Sequence, residues 1–282
     1  MKRLPTNSFI NLDELNFDYS FCDKKQRELV MEFVKNKVKT TQEKPNKHQW
    51  TDYWKEVFES DSKTPSFFKK KQDVITGKNV FRYKDNFILT KKENLGPEAL
   101  HEIINNALLT LPKNISAVVE FGCGNGHNLQ YIKERHPKLK LAGCDFAKSA
   151  VLMVKKNGHE SFLFDMKAAD SLIPKSIKLD PDNTAFFTSG SMEQLGSDWK
   201  IFFDFLVSSA VKYVIHVEPI KELYCKNKDM EKLAIKFHKS KKYLNNYFSH
   251  LKKQKTFTVT YSKSNFGTLF DQGFNVLILK RK

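Results

Sequence analysis

Apolar residues recur at helical spacing in two stretches near the N-terminus. The first holds Leu29, Val30, Phe33, Val34 and Val38, the second Trp50, Tyr53, Trp54, Val57 and Phe58. Repeats of three and four positions predict two amphipathic helices, because those residues share one face of a 3.6-residue turn. A polar run at 42–47 with Pro45 separates them and reads as a linker. The aromatic stripe of the second helix either packs onto the main body or forms a lid that walls a pocket. From Gly96 the pattern becomes regular. Pro97 opens a stripe of Ala99, Leu100, Ile103, Ile104, Ala107 and Leu108 that Pro112 stops, a helix with proline in its first turn. Short apolar runs at 117–121, 139–144, 161–164, 184–188 and 212–217 read as buried strands. Helical stripes around Leu129 and Ile132, at 149–154 and at 199–206 lie between them. Strands alternating with helices predict an α/β fold with a doubly wound, mostly parallel sheet. Met230, Leu233, Ala234 and Phe237, then Leu244, Tyr247, Phe248 and Leu251, predict one or two further helices, with Tyr243 and Tyr247 as core. Strands at 256–261 and 274–279 would close the sheet as a terminal antiparallel pair. The expectation is seven strands, residues 1–95 as an N-terminal helical cap and 96–282 as the main domain.

Composition adds bounds. Of 282 residues, 40% are hydrophobic and 28% charged, a globular and not a disordered balance. No apolar run approaches the roughly 18 residues of a membrane span, and no apolar segment follows the first residues, so a cytoplasmic protein is expected. Cys22, Cys123, Cys144 and Cys225 are widely spaced, which argues against a disulfide framework or a zinc site, and no metal is expected.

The net charge of +16 is uneven: residues 1–95 carry +6, residues 96–220 carry −1 and residues 221–282 carry +11. Only 5 of the 48 basic residues are arginine. Arginine is the side chain that reads phosphates and bases bidentately, so the excess reads first as a solvated lysine surface and second as a nucleic-acid footprint. Arg82 stands between Phe81 and Tyr83 and is a candidate clamp for an anionic substrate group, with Tyr83 beside it.

The chemistry-bearing segment is Val118-Val119-Glu120-Phe121-Gly122-Cys123-Gly124-Asn125-Gly126, at a strand end and opening a helix. A dinucleotide fingerprint would place glycine at position 127, where this chain has histidine. The Gly-Lys-Ser/Thr ending of a phosphate-binding P-loop is absent too. The remaining pattern is an acid two residues before three alternating glycines. The next strand ends at Asp145, nineteen residues after Gly126, and the one after it at Phe164-Asp165-Met166.

This pattern resembles motif I and the following strand ends of the class I S-adenosylmethionine (SAM) methyltransferases, over roughly residues 96–220 and more loosely to the C-terminus. The resemblance implies SAM as cofactor and S-adenosylhomocysteine (SAH) as product. It implies that Glu120, Gly122, Cys123, Gly124 and Gly126 hold the methionine part, that Asp145 and Phe146 hold the ribose side, and that Asp165 and Met166 meet the adenine, with Ser189 nearby. A carboxylate suits the ribose because it accepts two hydroxyl hydrogen bonds at once. Groups toward the acceptor are expected after the fourth and fifth strands. Glu193, His216 and Glu218 are the candidate catalytic residues there, and Ser191, Trp54, Arg82 and Tyr83 the candidate substrate contacts; the alternatives are a His216 satisfied inside the sheet, a Glu218 paired with a nearby lysine and an Arg82 in a surface salt bridge. The Asn-Pro-Pro-Tyr-like segment of amino-methyltransferases acting on bases is missing. Ser191-Met192-Glu193-Gln194 with His216-Val217-Glu218-Pro219 is similar to bacterial methyltransferases of surface polysaccharide or secondary-metabolite pathways. The expected activity is methyl transfer to a hydroxyl or amine of a small molecule or glycan intermediate. An RNA methyltransferase using the basic C-terminal region and an inactive SAM-binding partner of another enzyme are the alternatives.

Overall fold

Five strands form the parallel centre of the molecule: β5 (Ala117–Phe121), β6 (Lys140–Asp145), β7 (Glu160–Leu163), β8 (Thr184–Ser189) and β9 (Tyr213–Glu218), side by side as β7-β6-β5-β8-β9. The computed structural model describes residues 1–60, 74–75, 77–271 and 273–282. Strand order reverses between β5 and β8, which leaves a crevice at the carboxyl ends where ligands bind in sheets of this kind. Two further strands close the sheet, β11 (Asn275–Arg281) antiparallel to β9 and β10 (Phe257–Ser262) antiparallel to β11. An eighth strand not anticipated from the pattern, β1 (Lys2–Arg3), pairs parallel with β10. Two exposed basic residues carry no alternation, so only their pairing marks them as strand.

Side chains alternate across the strands and fill both faces. Val118, Leu141, Phe187, Ile215 and Val217 pack against α3 (Leu95–Leu108) and α4 (His127–Arg135). Val119, Phe121, Phe186, Val214 and Leu279 face α6 (Trp199–Ser208) and α8 (Tyr247–Leu251). Tyr247 is fully buried in that second layer, as expected.

The first 95 residues are not wholly helical. α1 (Lys24–Lys39) and α2 (Lys47–Glu59) form, each started by a capping box, Asp23 with Gln26 and Asn46 with Gln49. Beside them β2 (Ser20–Phe21), β3 (Asn79–Tyr83) and β4 (Asn86–Thr90) make a separate sheet in the order β2-β4-β3. Lys84 and Asp85, at φ 47° and 65°, form the two-residue turn of its hairpin. Such turns favour glycine or asparagine, so Lys-Asp does not announce one. α1 buries Val30, Val34 and Val38 against Val80, Phe87 and Leu89 of this sheet and Met230 and Leu233 of α7 (Asp229–Ser240).

Two expected substrate contacts are structural. The Arg82 guanidinium is fully buried and donates to the carbonyls of Leu269 (2.6 and 2.9 Å) and Met230 (2.6 Å). Three carbonyl bonds fix the fork in the interior, away from any anion. Tyr83 is 1% exposed, and its hydroxyl accepts from the Leu12 N–H at 3.2 Å. Aromatic neighbours around an arginine signalled burial here.

Candidate active site

The glycine loop leaves β5 at the crevice. Gly122 and Gly124 have φ of 72° and 52°, a region side chains rarely adopt. Space forbids a side chain as well: a Cβ on Gly122 would lie 2.4 Å from Ser191 Cβ, and one on Gly124 2.5 Å from the Trp54 ring. Gly126 begins α4 and packs against Val154, outside the cavities, so it shapes the loop without lining the site.

Two adjoining cavities flank this loop. The first, about 360 Å³, is lined by Asp145, Phe146, Phe164, Asp165 and Met166 from the ends of β6 and β7, with Gly122, Ser191 and the Lys44–Lys47 stretch opposite. The Asp145 carboxylate accepts from the Gly124 N–H (3.1 Å) and the Ala147 N–H (3.0 Å), one at each oxygen, with the Phe146 N–H also turned to it. Burial raises its pKa to about 6, against the pull of those N–H groups. Asp165 is held by Lys47 of α2 at 2.5 Å and by the Lys167 N–H at 2.9 Å. The same Lys47 ammonium lies 5.6 Å from the centre of the Phe146 ring.

The second cavity, about 510 Å³, is lined by Gly122–Asn125, Ser189, Glu193, Tyr243, Thr268 and Asp271, among others. Pro45, Trp50, Trp54, Gly122, Gly190 and Gln194 line both cavities, so the two are one cleft divided by the loop and by α2. Cys123 and Ser189, expected with the cofactor, fall in this second part. Burial pushes the Cys123 thiol far up, so it is not a nucleophile. The Ser189 hydroxyl is buried with no hydrogen-bond partner among the described residues.

Glu120 lines neither cavity. It is fully buried behind the loop, one oxygen accepting from Asn128 Nδ2 at 2.7 Å and the other without a partner. Burial raises it to about 8.

Two of the three candidate catalytic residues belong to the scaffold. His216 is fully buried, with Nδ1 2.8 Å from the Thr188 hydroxyl and Nε2 2.8 Å from the Tyr247 hydroxyl. Both nitrogens are used inside the sheet, and burial lowers its pKa to about 3. Glu218 is fully buried too and accepts from the Ser191 and Met192 N–H groups at 3.2 Å each, pinning the turn after β8. Ser191 closes that turn onto the glycine strand by donating to the Phe121 carbonyl at 2.9 Å. Glu193 alone faces the cleft, with Gln194 Nε2 2.9 Å from one oxygen.

Sequence reasoning missed Trp50, Lys47, Tyr243 and Asp271. The first two lie on α2, where the aromatic stripe was the signal for Trp50 and nothing marked Lys47. Tyr243, expected in the core, reaches the cavity because Lys242 at φ 53° ends α7 and turns the chain. Asp271 lies in an irregular stretch with no periodic pattern.

No protein-family model matches the chain, and no curated protein matches it. Among solved structures it is similar to the plantazolicin methyltransferase BpumL in complex with a pentazolic desmethyl analogue and SAH. That match has 13% identity, covers 93% of this chain and 100% of that one, and has a TM-score of 0.47. It is similar to human N-acetylserotonin methyltransferase in complex with SAM, at 10% identity, 65% of this chain, 54% of that one and a TM-score of 0.44. For the CurJ carbon methyltransferase the values are 12%, 64% and 0.42, and the chain spans about half of that protein, 53%.

Proposed function

We propose that the chain is a SAM-dependent methyltransferase acting on a small molecule. The observation that carries this is Asp145: a buried carboxylate, tied to the glycine loop and opening into a cavity that Phe146, Asp165 and Met166 also line. The residues fit the cofactor on three counts. Gly122 lines both cavities and Gly124 the second, so the loop brings bare backbone to the cleft. Asp145 keeps acceptor capacity toward the first cavity for a ribose hydroxyl, and Asp165 at the next strand end suits an exocyclic amine. Bound SAM supplies an electrophilic methyl group. The chain's own residues orient it and exclude water, and transfer gains most from such proximity. Glu218 and Ser191 hold the turn after β8, whose Gly190 and Gln194 line both cavities, as Trp50 and Trp54 of α2 do.

The second cavity supports a small-molecule acceptor, with a hydroxyl or amine as the reacting group. The basic tail gives less support to RNA, because its one arginine, Arg281, donates to the Val211, Leu206 and Val207 carbonyls and the rest of its excess is lysine. Among the described residues no helix is long and apolar enough to cross a membrane. A cytoplasmic location fits this reading.

Calorimetric titration with SAM and then SAH tests the proposal. Both should bind, and Asp145→Ala should weaken SAH by about 2–4 kcal/mol, the loss of charged hydrogen bonding to the ribose. No binding of either, or an unchanged Kd in the variant, would sink the assignment.

A further inference from the structure

The far wall of the second cavity has a chemical character of its own. Glu193 from the turn after β8 and Asp271 from the stretch before β11 both line it, with Tyr243 and the indoles of Trp50 and Trp54. Asp271 is a built group. His238, fully buried, places Nε2 2.9 Å from one oxygen, and Thr268 donates to the other at 2.8 Å. Glu193 accepts from the neutral amide of Gln194, with the Lys44 ammonium acting on it from farther off. Lys241 also lines the cavity, but its ammonium lies 6.0 Å from the centre of the Phe237 ring. His101 and His127, on the opposite side, are held neutral by burial.

Two carboxylates facing one enclosed space repel each other, and burial with Asp271 nearby raises the Glu193 carboxyl above its usual range. Burial works against ionisation of Asp271 as well, yet its hydrogen bond from His238 and the Arg82 charge behind it hold its pKa below the ordinary value. One of the pair thus stays anionic. Among the described residues Ser189 Oγ and Gln194 Oε1 also lack a hydrogen-bond partner, the first able to accept or donate and the second to accept. A carboxylate pair, spare acceptors and aromatic faces together solvate a compact cation with N–H groups. They suit an anionic acceptor badly, because it would meet like charge.

From Glu193, Asp271, Tyr243 and the two indoles around one cavity, we infer that the acceptor is an amine, bound as its cation at this wall. The inference rests on the methyltransferase reading for naming this cavity the acceptor end. It separates amines from the hydroxyl acceptors that reading leaves open.

The test uses three probes that share a ring and differ in one group: tyramine (ammonium), tyrosol (hydroxyl) and 4-hydroxyphenylacetate (carboxylate). Each is titrated by NMR into the full chain, with and without SAH. Tyramine should bind about tenfold more tightly than tyrosol, with the carboxylate weakest. Asp271→Asn, which keeps shape and removes the standing charge, should reduce that preference by about threefold or more, and Glu193→Gln, which removes the carboxyl that a bound cation can ionise, by a smaller factor, both leaving the SAH Kd unchanged. Equal binding of the three probes, no saturable binding of tyramine, or a preference intact in both variants overturns the inference. The SAH titration is read separately. Amine selectivity without SAH binding removes the methyltransferase reading and keeps the amine site; SAH binding without selectivity does the reverse.

Discussion

Acidic side chains at the strand ends divide by what surrounds each carboxyl. Asp145 and Asp165 reach the cleft, whereas Glu120 sits behind the loop with one oxygen unbonded and burial raising its pKa to about 8. A carboxyl whose folded pKa exceeds its unfolded value binds more protons in the folded state. Its favourable contribution is therefore complete below the unfolded value, near 4.5, and is lost as pH rises through about 8. Glu120→Gln should accordingly raise stability at pH 8.5 by about 1–3 kcal/mol in the ligand-free protein, with the gain shrinking toward pH 5. Urea unfolding at the two pH values measures it, and a pH-independent difference would show that the carboxyl is not strained. The three-acid register was legible in the sequence because chemistry and spacing agreed there. Environment was not legible: His216 and Glu218 follow the fifth strand as acceptor-side residues should, yet both point inward.

At the scale of elements, the strand and helix pattern after Gly96 could be read from hydrophobic period because buried strands and amphipathic helices carry it continuously. The three-stranded N-terminal sheet escaped because its hairpin turns on Lys84-Asp85 and its strands are five residues or fewer. α2 satisfies both readings its stripe allowed. Val57 and Tyr53 pack on Ala150 and Met153 of α5 (Lys148–Lys156) and on its cap Ala147, while Trp50 and Trp54 wall the cleft. Its contact with the loop makes Gly124 sensitive twice over, through a φ of 52° and a clash with the Trp54 ring. Gly124→Ala should lower SAH affinity by about 2 kcal/mol or more, the order of a strained backbone plus a displaced ring. Titration checks this, and retained affinity would mean that α2 gives way without consequence.

Across the whole molecule, Arg82 connects parts that lie far apart in sequence. It belongs to the small sheet, yet bonds the carbonyl of Met230 on α7 and that of Leu269, close to Asp271 on the cleft wall. Arg82→Leu leaves those carbonyls without donors, and stability should fall by about 3–5 kcal/mol. Denaturant unfolding reads the loss. A normal midpoint combined with weakened ligand binding would instead restore Arg82 to the role its aromatic neighbours first suggested.

The two cavities share Trp50 and Trp54, and both indoles ride on one short helix. A guest in either chamber is therefore felt in the other whenever it repositions that helix. Thermodynamic reciprocity then fixes the bookkeeping: the factor by which the first guest alters affinity for the second equals the factor by which the second alters affinity for the first. Cooperativity between two unlike ligands, equal in both directions, is thus written into the placement of one aromatic helix, with no second subunit required.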